Sequence, residues 1–160
     1  DLTQHVNASG KDLSFFNDAL KEKYIPSVVE TSVGVDRTCL SILVDAYREE
    51  EVNGEKRVVM GFNPNIAPIQ VAVFPLSNKL EENSHKLFEN VRKHFVCEYD
   101  DAGSIGKRYR RHDEVGTPYC ITYDFDSEND KAVTIRDRDS MKQERISIDK
   151  VVEYLKKSFE

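Results

Sequence analysis

Apolar positions in the second half of the chain repeat with two periods, that of a strand and that of a helix. Residues 69–76, IQVAVFPL, form an apolar run rich in β-branched residues, which predicts a buried strand. Residues 77–95 follow with apolar side chains at helical spacing, which predicts an amphipathic helix. Its buried face would carry Leu80, Leu87, Val91 and Phe95.

The same alternation continues to the end of the sequence. Further strands are predicted at 96–101, 118–126, 132–139 and 143–148, and further helices at 104–116 and 149–159. From residue 69 onward the order is therefore β-α-β-α-β-β-β-α. Such an order implies helices packed on a mostly parallel or mixed sheet, which predicts an α/β fold.

The first 34 residues are patterned less regularly. Pro26 excludes a helix interior, so Val28 and Val29 predict a short strand that ends before the next helix. Residues 1–23 have weak periodicity, and residues 7–23 within them predict a loop and then a short helical piece. That piece would turn three apolar side chains inward: Phe15, Phe16 and Leu20.

Residues 35–54 predict one long helix, because apolar side chains recur there at helical spacing. The buried face of this helix would carry Leu40, Leu43, Val44 and Tyr47. Residues 56–68 contain two prolines and a glycine, which predicts an irregular connection. We therefore expect two domains, one of residues 1–60 and one of residues 66–160.

Composition places the chain among globular proteins with one substantial core: it has 160 residues, 39% of them hydrophobic, and a net charge of −6. No apolar run approaches the roughly 20 residues that span a bilayer. No signal peptide is visible, so we expect a cytoplasmic protein without a membrane partner. The three cysteines form no C-x-x-C pair and lie among apolar residues, which predicts reduced core thiols: Cys39, Cys97 and Cys120.

Candidate metal ligands are scattered along the chain. The four histidines show no spacing typical of a metal site. The acidic residues between 124 and 130 lack the glycine and the distal glutamate of an EF-hand loop, so they predict the tip of a hairpin instead. The sequence therefore predicts no metal site.

A basic cluster stands out in this acidic chain. Within five consecutive positions lie Lys107, Arg108, Arg110 and Arg111. Such a density of cations suggests a phosphate backbone as the partner, and Tyr109 could stack on an unpaired base. The alternative is a solvated helix face that neighbouring carboxylates neutralise, and the cluster alone does not decide between the two.

Charges of alternating sign follow in the segment TIRDRD, which is predicted to be a strand. Because side chains alternate along a strand, Arg136 and Arg138 would share one face and the two aspartates the other. The two arginines could fix an RNA backbone or read base edges. The favoured alternative is that they pair with charges of the preceding basic helix.

The segment VVETSVGVDRT could bind small polar ligands. Glu30 could bind an ammonium group, Ser32 could form a hydrogen bond to a ligand, and Gly34 would allow close backbone approach. Arg37, on the first turn of the following helix, carries a guanidinium suited to phosphate. An ordinary turn with a salt bridge is the alternative.

Six stretches spread over nearly the whole chain are DLTQH, SGKDLSFF, YIPSVVETSVGVDRTCLSILVDAY, IAPIQVAVFPL, SIGKRYRRHDEVGTPYCITYDFD and VTIRDRDSMKQERI. Together, and in this order, they resemble the class II glycyl-tRNA synthetases of the homodimeric type. The G-V-D-R element resembles motif 3 of class II synthetases. The long basic stretch is more specific to the glycine enzymes and their nearest relatives.

The resemblance implies a role for each candidate residue. Residues 1–60 would be a remnant of an antiparallel catalytic domain, and residues 66–160 an anticodon-binding domain with a mixed five-stranded sheet flanked by helices. Glycine would contact Glu30, Thr31, Ser32, Val33 and Gly34. ATP would contact Gly34, Val35, Asp36 and the catalytic Arg37, which would hold its terminal phosphate. The tRNA would contact Lys107, Arg108, Tyr109, Arg110, Arg111, Arg136 and Arg138.

The resemblance also implies an activity for the full-length parent. That parent would use ATP and Mg²⁺ to form glycyl-adenylate and would then transfer glycine to tRNA-Gly, as a cytoplasmic homodimer. The chain lacks the family's motifs 1 and 2, so we expect it to be inactive alone and to bind no cofactor. The alternative is a non-catalytic paralogue that uses the anticodon-binding fold on another RNA or on a protein.

Overall fold

The computed structural model describes residues 1–159 and separates two compact units. One unit comprises residues 1–38, and the larger one begins at Cys39. The predicted boundary between two domains, at residues 60–66, does not coincide with the boundary between these compact units. It stays a prediction.

The first unit contains one short helix and one small hairpin. Helix α1 spans Leu2–Ser9 and ends at Gly10, whose φ of 67° lies in the left-handed region. Strands β1 (Phe15–Asn17) and β2 (Glu22–Tyr24) pair antiparallel. Their register places Phe15 opposite Tyr24, and the two rings meet edge to face. This cross-strand aromatic pair supports the hairpin.

The short helical piece predicted within residues 7–23 is wrong. The Asn17 carboxamide oxygen accepts hydrogen bonds from the amides of Ala19 and Leu20, which turns the chain after β1. Phe15, Phe16 and Leu20 are exposed rather than turned inward. A side-chain-capped turn therefore replaces the first turn of the expected helix.

The strand predicted at Val28 and Val29 is also wrong. The described structure contains no helix or strand between residues 25 and 34, and both valines are exposed. A strand requires a neighbour for its backbone hydrogen bonds, and none pairs with this segment within residues 1–38.

Helix α2 spans Val35–Ala46 and ends well before the end of the predicted helix 35–54. The chain continues as β3 (Tyr47–Val52) and β4 (Glu55–Met60), which pair antiparallel. At Asn53–Gly54 both φ angles are positive, 53° and 79°, as a two-residue type I′ turn requires. The predicted irregular connection is therefore wrong over its first part, where β4 lies.

The apolar face predicted on α2 is not buried. Leu40, Leu43 and Val44 are exposed, and Tyr47 begins β3 instead of continuing the helix. The apolar residues have helical spacing, and helix α2 does form. However, nothing within the described residues covers the apolar face of this helix.

The larger unit contains a mixed five-stranded sheet flanked by helices, which confirms the predicted α/β fold. In space the strands follow the order β6-β5-β7-β8-β9, with β5 parallel to both of its neighbours and the remaining pairs antiparallel. The strands are β5 (Val71–Pro75), β6 (Cys97–Tyr99), β7 (Tyr119–Tyr123), β8 (Ala132–Asp137) and β9 (Gln143–Ser147).

Four helices accompany the sheet: α3 (Glu81–Val91), α4 (Ile105–Val115), α5 (Ser127–Asp130) and α6 (Val151–Ser158). The three long ones match the helices expected from the sequence. The single-turn α5 occupies the segment SEND, which was expected to be a polar turn. None of the helices in the described residues is both long and apolar enough to cross a bilayer.

Alternation along β5 divides the core into two layers. Val71 and Val73 face one side, where they pack with apolar residues of α3 and α6. Ala72 and Phe74 face the other side, where they pack with Cys120 and with residues of α4. Because successive side chains of a strand point to opposite faces, α3 and α6 lie on one side of the sheet and α4 on the other.

The β3–β4 hairpin is attached to this unit through a small core of its own. Ala46, Phe62 and Ala67 are buried together, with Met60 packed against them. The amide of Gly61 donates a hydrogen bond to the carbonyl of Ala46, which closes the base of the hairpin.

The cysteine prediction is only partly confirmed. Cys120 is buried and Cys97 partly buried, but Cys39 is exposed on α2. Burial raises the pKa of the Cys97 thiol to about 12, and burial raises the pKa of Cys120 as well. Both of these thiols are therefore protonated and unreactive at neutral pH.

Candidate nucleic-acid interface

Helix α4 presents two chemically different faces. Its outer face carries Lys107, Arg110 and Arg111, which share one side because they lie three and four residues apart. Lys107 and Arg111 are exposed, and Arg110 is half-buried. The inner face packs on the sheet and carries Ile105, Arg108, Tyr109, His112 and Asp113. One arginine of the basic cluster, Arg108, thus lies on the inner face rather than with the outer cations.

Arg108 belongs to the inner face and is only 4% exposed. Its guanidinium donates to the backbone carbonyls of Pro75 at 2.5 Å, Asp101 at 2.7 Å and Gly103 at 2.8 Å. These bonds join the end of β5 to the loop before α4. Arg108 therefore braces the fold, and its guanidinium is not accessible to RNA.

The ring of Tyr109 is enclosed by protein groups. The Phe74 ring meets it edge to face at 5.5 Å, and the guanidinium of Arg136 lies 4.9 Å from its centroid. Its hydroxyl forms a 2.7 Å hydrogen bond with Thr122 Oγ1. Because Arg136 covers one face of the ring, Tyr109 cannot stack on a base there.

A buried charge network joins the hairpin, α4 and the sheet. Arg57 Nε donates to Asp113 Oδ2 at 2.8 Å, and Arg136 Nη1 donates to Asp113 Oδ1 at 2.8 Å. Arg57 also donates to Glu50 Oε2 at 2.7 Å and to the carbonyl of Arg138. Burial alone would raise the pKa of Asp113, but the two arginines outweigh it and the pKa is lowered. Asp113 is therefore ionised, and every charge of the network has a partner.

Arg138 also serves the fold. It is 2% exposed and donates to the carbonyls of Gly116 and Phe62, each at 2.9 Å. Asp139 accepts a further bond from it and also pairs with Arg48 of the hairpin. The favoured prediction is pairing of the strand arginines with charges of the basic helix. This holds for Arg136, which pairs with Asp113 of α4.

The structure therefore separates the seven residues predicted to contact tRNA into two groups. Four of them point inward and hold the fold: Arg108, Tyr109, Arg136 and Arg138. Lys107, Arg110 and Arg111 line one open surface concavity of about 650 Å³. Its other lining residues are Glu55, Ser104, Gly106 and Glu114.

The three cations of this concavity differ in how many protein groups they already bind. Arg111 donates to the buried carboxylate of Asp100 and to the carbonyl of Ala102. Arg110 lies 3.9 Å from Asp113, a carboxylate that two other arginines already bind. In the described part of the chain Lys107 makes no ion pair. An RNA phosphate binds best to cations whose N–H donors are not already engaged by protein carboxylates. Lys107 meets this condition most fully.

The residues predicted to contact glycine and ATP lie consecutively at the end of the irregular segment and the start of α2. Glu30, Thr31, Ser32, Val33 and Gly34 are exposed, and so are Val35, Asp36 and Arg37. The carbonyl of Gly34 accepts hydrogen bonds from the amide and the hydroxyl of Thr38, which begins the helix. A Cβ at Gly34 would meet nothing within 4 Å, so the described structure places no group against it.

Sequence reasoning missed the contribution of the hairpin. Glu55 and Arg57 are two residues apart on β4, so both face α4, one at the rim of the concavity and one beneath it. The Asn-Gly pair flanked by Val52 and the run RVV was the available signal for this hairpin. The helix predicted over residues 35–54 ends at this same pair.

Comparisons with known proteins identify a domain family and close relatives of this chain. Residues 70–158 match the family described as the anticodon binding domain. The glycine–tRNA ligase of Caldanaerobacter subterraneus subsp. tengcongensis is 60% identical over 97% of this chain and 34% of its own length. That of Lachnoclostridium phytofermentans is 56% identical over 100% of this chain and 35% of its own length. The chain thus spans about a third of the length of these curated relatives.

Solved structures share the fold of the larger unit. The RNA binding domain of threonyl-tRNA synthetase from Cryptosporidium parvum Iowa II has a TM-score of 0.53 and 26% identity, over 56% of this chain and 23% of that one. Histidyl-tRNA synthetase from Nostoc sp. PCC 7120 has a TM-score of 0.56 and 19% identity, over 58% of this chain and 23% of that one. The second likeness shows the fold alone.

Proposed function

The chain belongs to the anticodon-binding domain family, and from this premise we propose that it is the tRNA-binding part of a glycine–tRNA ligase. The observation that carries the proposal is the similarity to glycine–tRNA ligases along nearly the entire chain. The basic concavity of α4 supplies a surface for it, because an otherwise acidic protein places three cations together there.

We assign the phosphate contacts to the outer face of α4. Lys107, Arg110 and Arg111 would each approach a backbone phosphate, which releases counterions and makes binding dependent on salt. The four inward residues of the predicted set would act indirectly, since they hold α4 and β8 in place. This division differs from the expectation that all seven touch tRNA.

We further propose that the full-length protein charges tRNA-Gly with glycine and ATP, as a cytoplasmic homodimer. In that protein residues 30–34 would bind glycine and residues 34–37 would bind ATP, with Arg37 on its terminal phosphate. The resemblance and the names of the relatives support these assignments. The described residues contain no group of three histidine, cysteine or carboxylate side chains that could hold Mg²⁺, so we assign no magnesium ligand within them.

The non-catalytic paralogue is the less favoured candidate. A protein that had lost the reaction would have no use for a glycine-binding and an ATP-binding segment. The chain retains the whole motif ETSVGVDR, residues 30–37. We therefore favour the ligase, and we propose that residues 1–160 by themselves do not form the adenylate.

Salt-titrated binding of tRNA-Gly tests the assigned surface. The double variant Lys107→Ala/Arg110→Ala should weaken binding and reduce the slope of log K against log salt by about 1.5, because two phosphate contacts are lost. Arg111 is left unchanged, since its removal would strip the buried Asp100 of a partner. Arg108 is unsuitable because three backbone carbonyls accept hydrogen bonds from its guanidinium.

A matched control removes two exposed lysines from the other side of the sheet. Lys79 and Lys93 flank α3, and the variant Lys79→Ala/Lys93→Ala has the same net charge as the test variant. Its binding and its salt slope should stay within error of the unmodified chain. Equal losses in both double variants would contradict the assignment of the α4 face.

A further inference from the structure

The β3–β4 hairpin contributes a carboxylate to the wall opposite α4. Side chains alternate along β4, and the register pairs Glu55 with Val52 and Arg57 with Glu50. Arg57 reaches the buried Asp113 of α4, so the face of the hairpin that carries Glu55 is turned toward this helix. Glu55 accordingly lines the same concavity as the outer cations of α4.

The hairpin cannot swing freely away from this position. Arg57 is 1% exposed and spans Asp113, Glu50 and the carbonyl of Arg138 with three separate hydrogen bonds. Arg48 and Asp139 form a second, more exposed ion pair between the hairpin and the turn that follows β8. A buried arginine separated from its carboxylates would be left uncompensated, so this joint strongly favours one geometry.

Glu55 itself is not used by the fold. It is exposed, and among residues 1–159 its side chain has no hydrogen bond or ion pair. The concavity also contains Glu114 of α4. Glu55 is the carboxylate on the hairpin side, and it disfavours phosphate at its own position, because like charges repel. It offers two acceptor oxygens and no donor, so it suits a group that presents N–H bonds.

We propose that this concavity takes one unpaired nucleotide of RNA, with phosphates against Lys107, Arg110 and Arg111 and the exocyclic amino group of the base donating to Glu55. The inference rests on the proposed function, since it assigns a base-reading residue to the same surface. Cytosine presents such an amino group at N4, where uracil presents an acceptor oxygen. The site therefore discriminates by base chemistry, which phosphate contacts alone do not.

Anisotropy titrations with oligocytidine and oligouridine of equal length test the proposal on the full chain. The two RNAs carry the same backbone and similar pyrimidine rings, so their difference isolates the amino group. The unmodified chain should prefer oligocytidine by about fivefold at matched salt. In Glu55→Ala this preference should fall to about one, and binding of oligouridine should strengthen, because a repelling charge has been removed.

Glu51→Ala is the matched control, since Glu51 is an exposed carboxylate on the same hairpin that lies outside this concavity. It should retain the preference for oligocytidine. Equal changes of both RNAs in Glu55→Ala and Glu51→Ala would overturn the inference, because Glu55 would then act only as a net charge. The inference would also be overturned if the unmodified chain bound oligocytidine and oligouridine equally while substitution of Lys107 and Arg110 still weakened binding. Failure to bind either RNA at low salt would instead overturn the proposed function.

Discussion

Gly116 ends α4 with a φ of 88°, in the region of backbone space that glycine alone enters freely. Its amide donates to the carbonyls of His112 and Asp113, and its own carbonyl accepts from Arg138. A Cβ built here would lie 2.5 Å from a ring carbon of Phe62 and 2.7 Å from the carbonyl oxygen of Met60. One backbone position thus joins the end of the basic helix, the strand arginine and the segment after the hairpin.

We predict that Gly116→Ala destabilises the chain by about 3 kcal/mol, because left-handed strain adds to contact with a backbone atom that cannot move aside. Gly103→Ala is the control, since Gly103 has a φ of 79° but an added Cβ would lie no closer than 4.0 Å to Lys107 Cδ, an ordinary contact. The control should cost about 1 kcal/mol. Urea denaturation measures both, and equal losses would show that steric contact at Gly116 is unimportant.

At this scale the sequence could predict helix α4 but not which of its polar side chains point toward the sheet. The helix and its stop at Gly116 follow from pattern and turn chemistry. Arg108 differs, because an arginine in a polar run is normally assigned to solvent. It turns inward, where its guanidinium donates to the carbonyl of Pro75 at the end of β5, a distant part of the chain.

At the scale of elements, the β3–β4 hairpin and α4 behave as one assembly. Asp113 lies between Arg57 and Arg136, so a single carboxylate holds the hairpin, the helix and β8 together. The local pattern concealed this arrangement. The strand sequence YREEEV is mostly charged, and the helical spacing of α2 extends as far as Tyr47. Pairing with β4 and burial of Arg57 decide the outcome, and both are tertiary effects.

We predict that Arg57→Met lowers the free energy of unfolding by about 3 kcal/mol, because the buried Asp113 keeps Arg136 but loses its second partner. Lys56→Met, at the neighbouring position, removes only the exposed ion pair with Glu49 and should cost no more than about 1 kcal/mol. Both values come from urea midpoints measured under one set of conditions. A cost for Arg57→Met as small as that of the control would mean that the network does not hold the hairpin.

At the scale of the whole molecule, alternation of strands and helices after residue 69 was enough to predict the fold class, because each element carries its own period. The spatial order β6-β5-β7-β8-β9 could not be predicted in this way, since it depends on which helix crosses which face. For residues 30–37 the sequence and the structure give different kinds of information. The resemblance gives them roles in glycine and ATP binding, while the described structure leaves them exposed.

The charge distribution also acts at this scale. The protein has a net charge of −6, yet the outer face of α4 and the tip of the hairpin form one concavity with three cations. A negative protein repels RNA in general, so only a local positive surface allows approach. Affinity should therefore depend strongly on salt, whereas any preference for one tRNA must come from contacts with bases.

The most direct test of the central claim is a salt-titrated binding assay with three RNAs: tRNA-Gly, the same tRNA with its anticodon replaced, and an unrelated tRNA. If this chain recognises the anticodon, it binds native tRNA-Gly more tightly than the other two, and the difference persists as salt weakens all three. Equal affinities with the same steep salt dependence would contradict the account. The surface on α4 would then be an electrostatic patch without anticodon recognition.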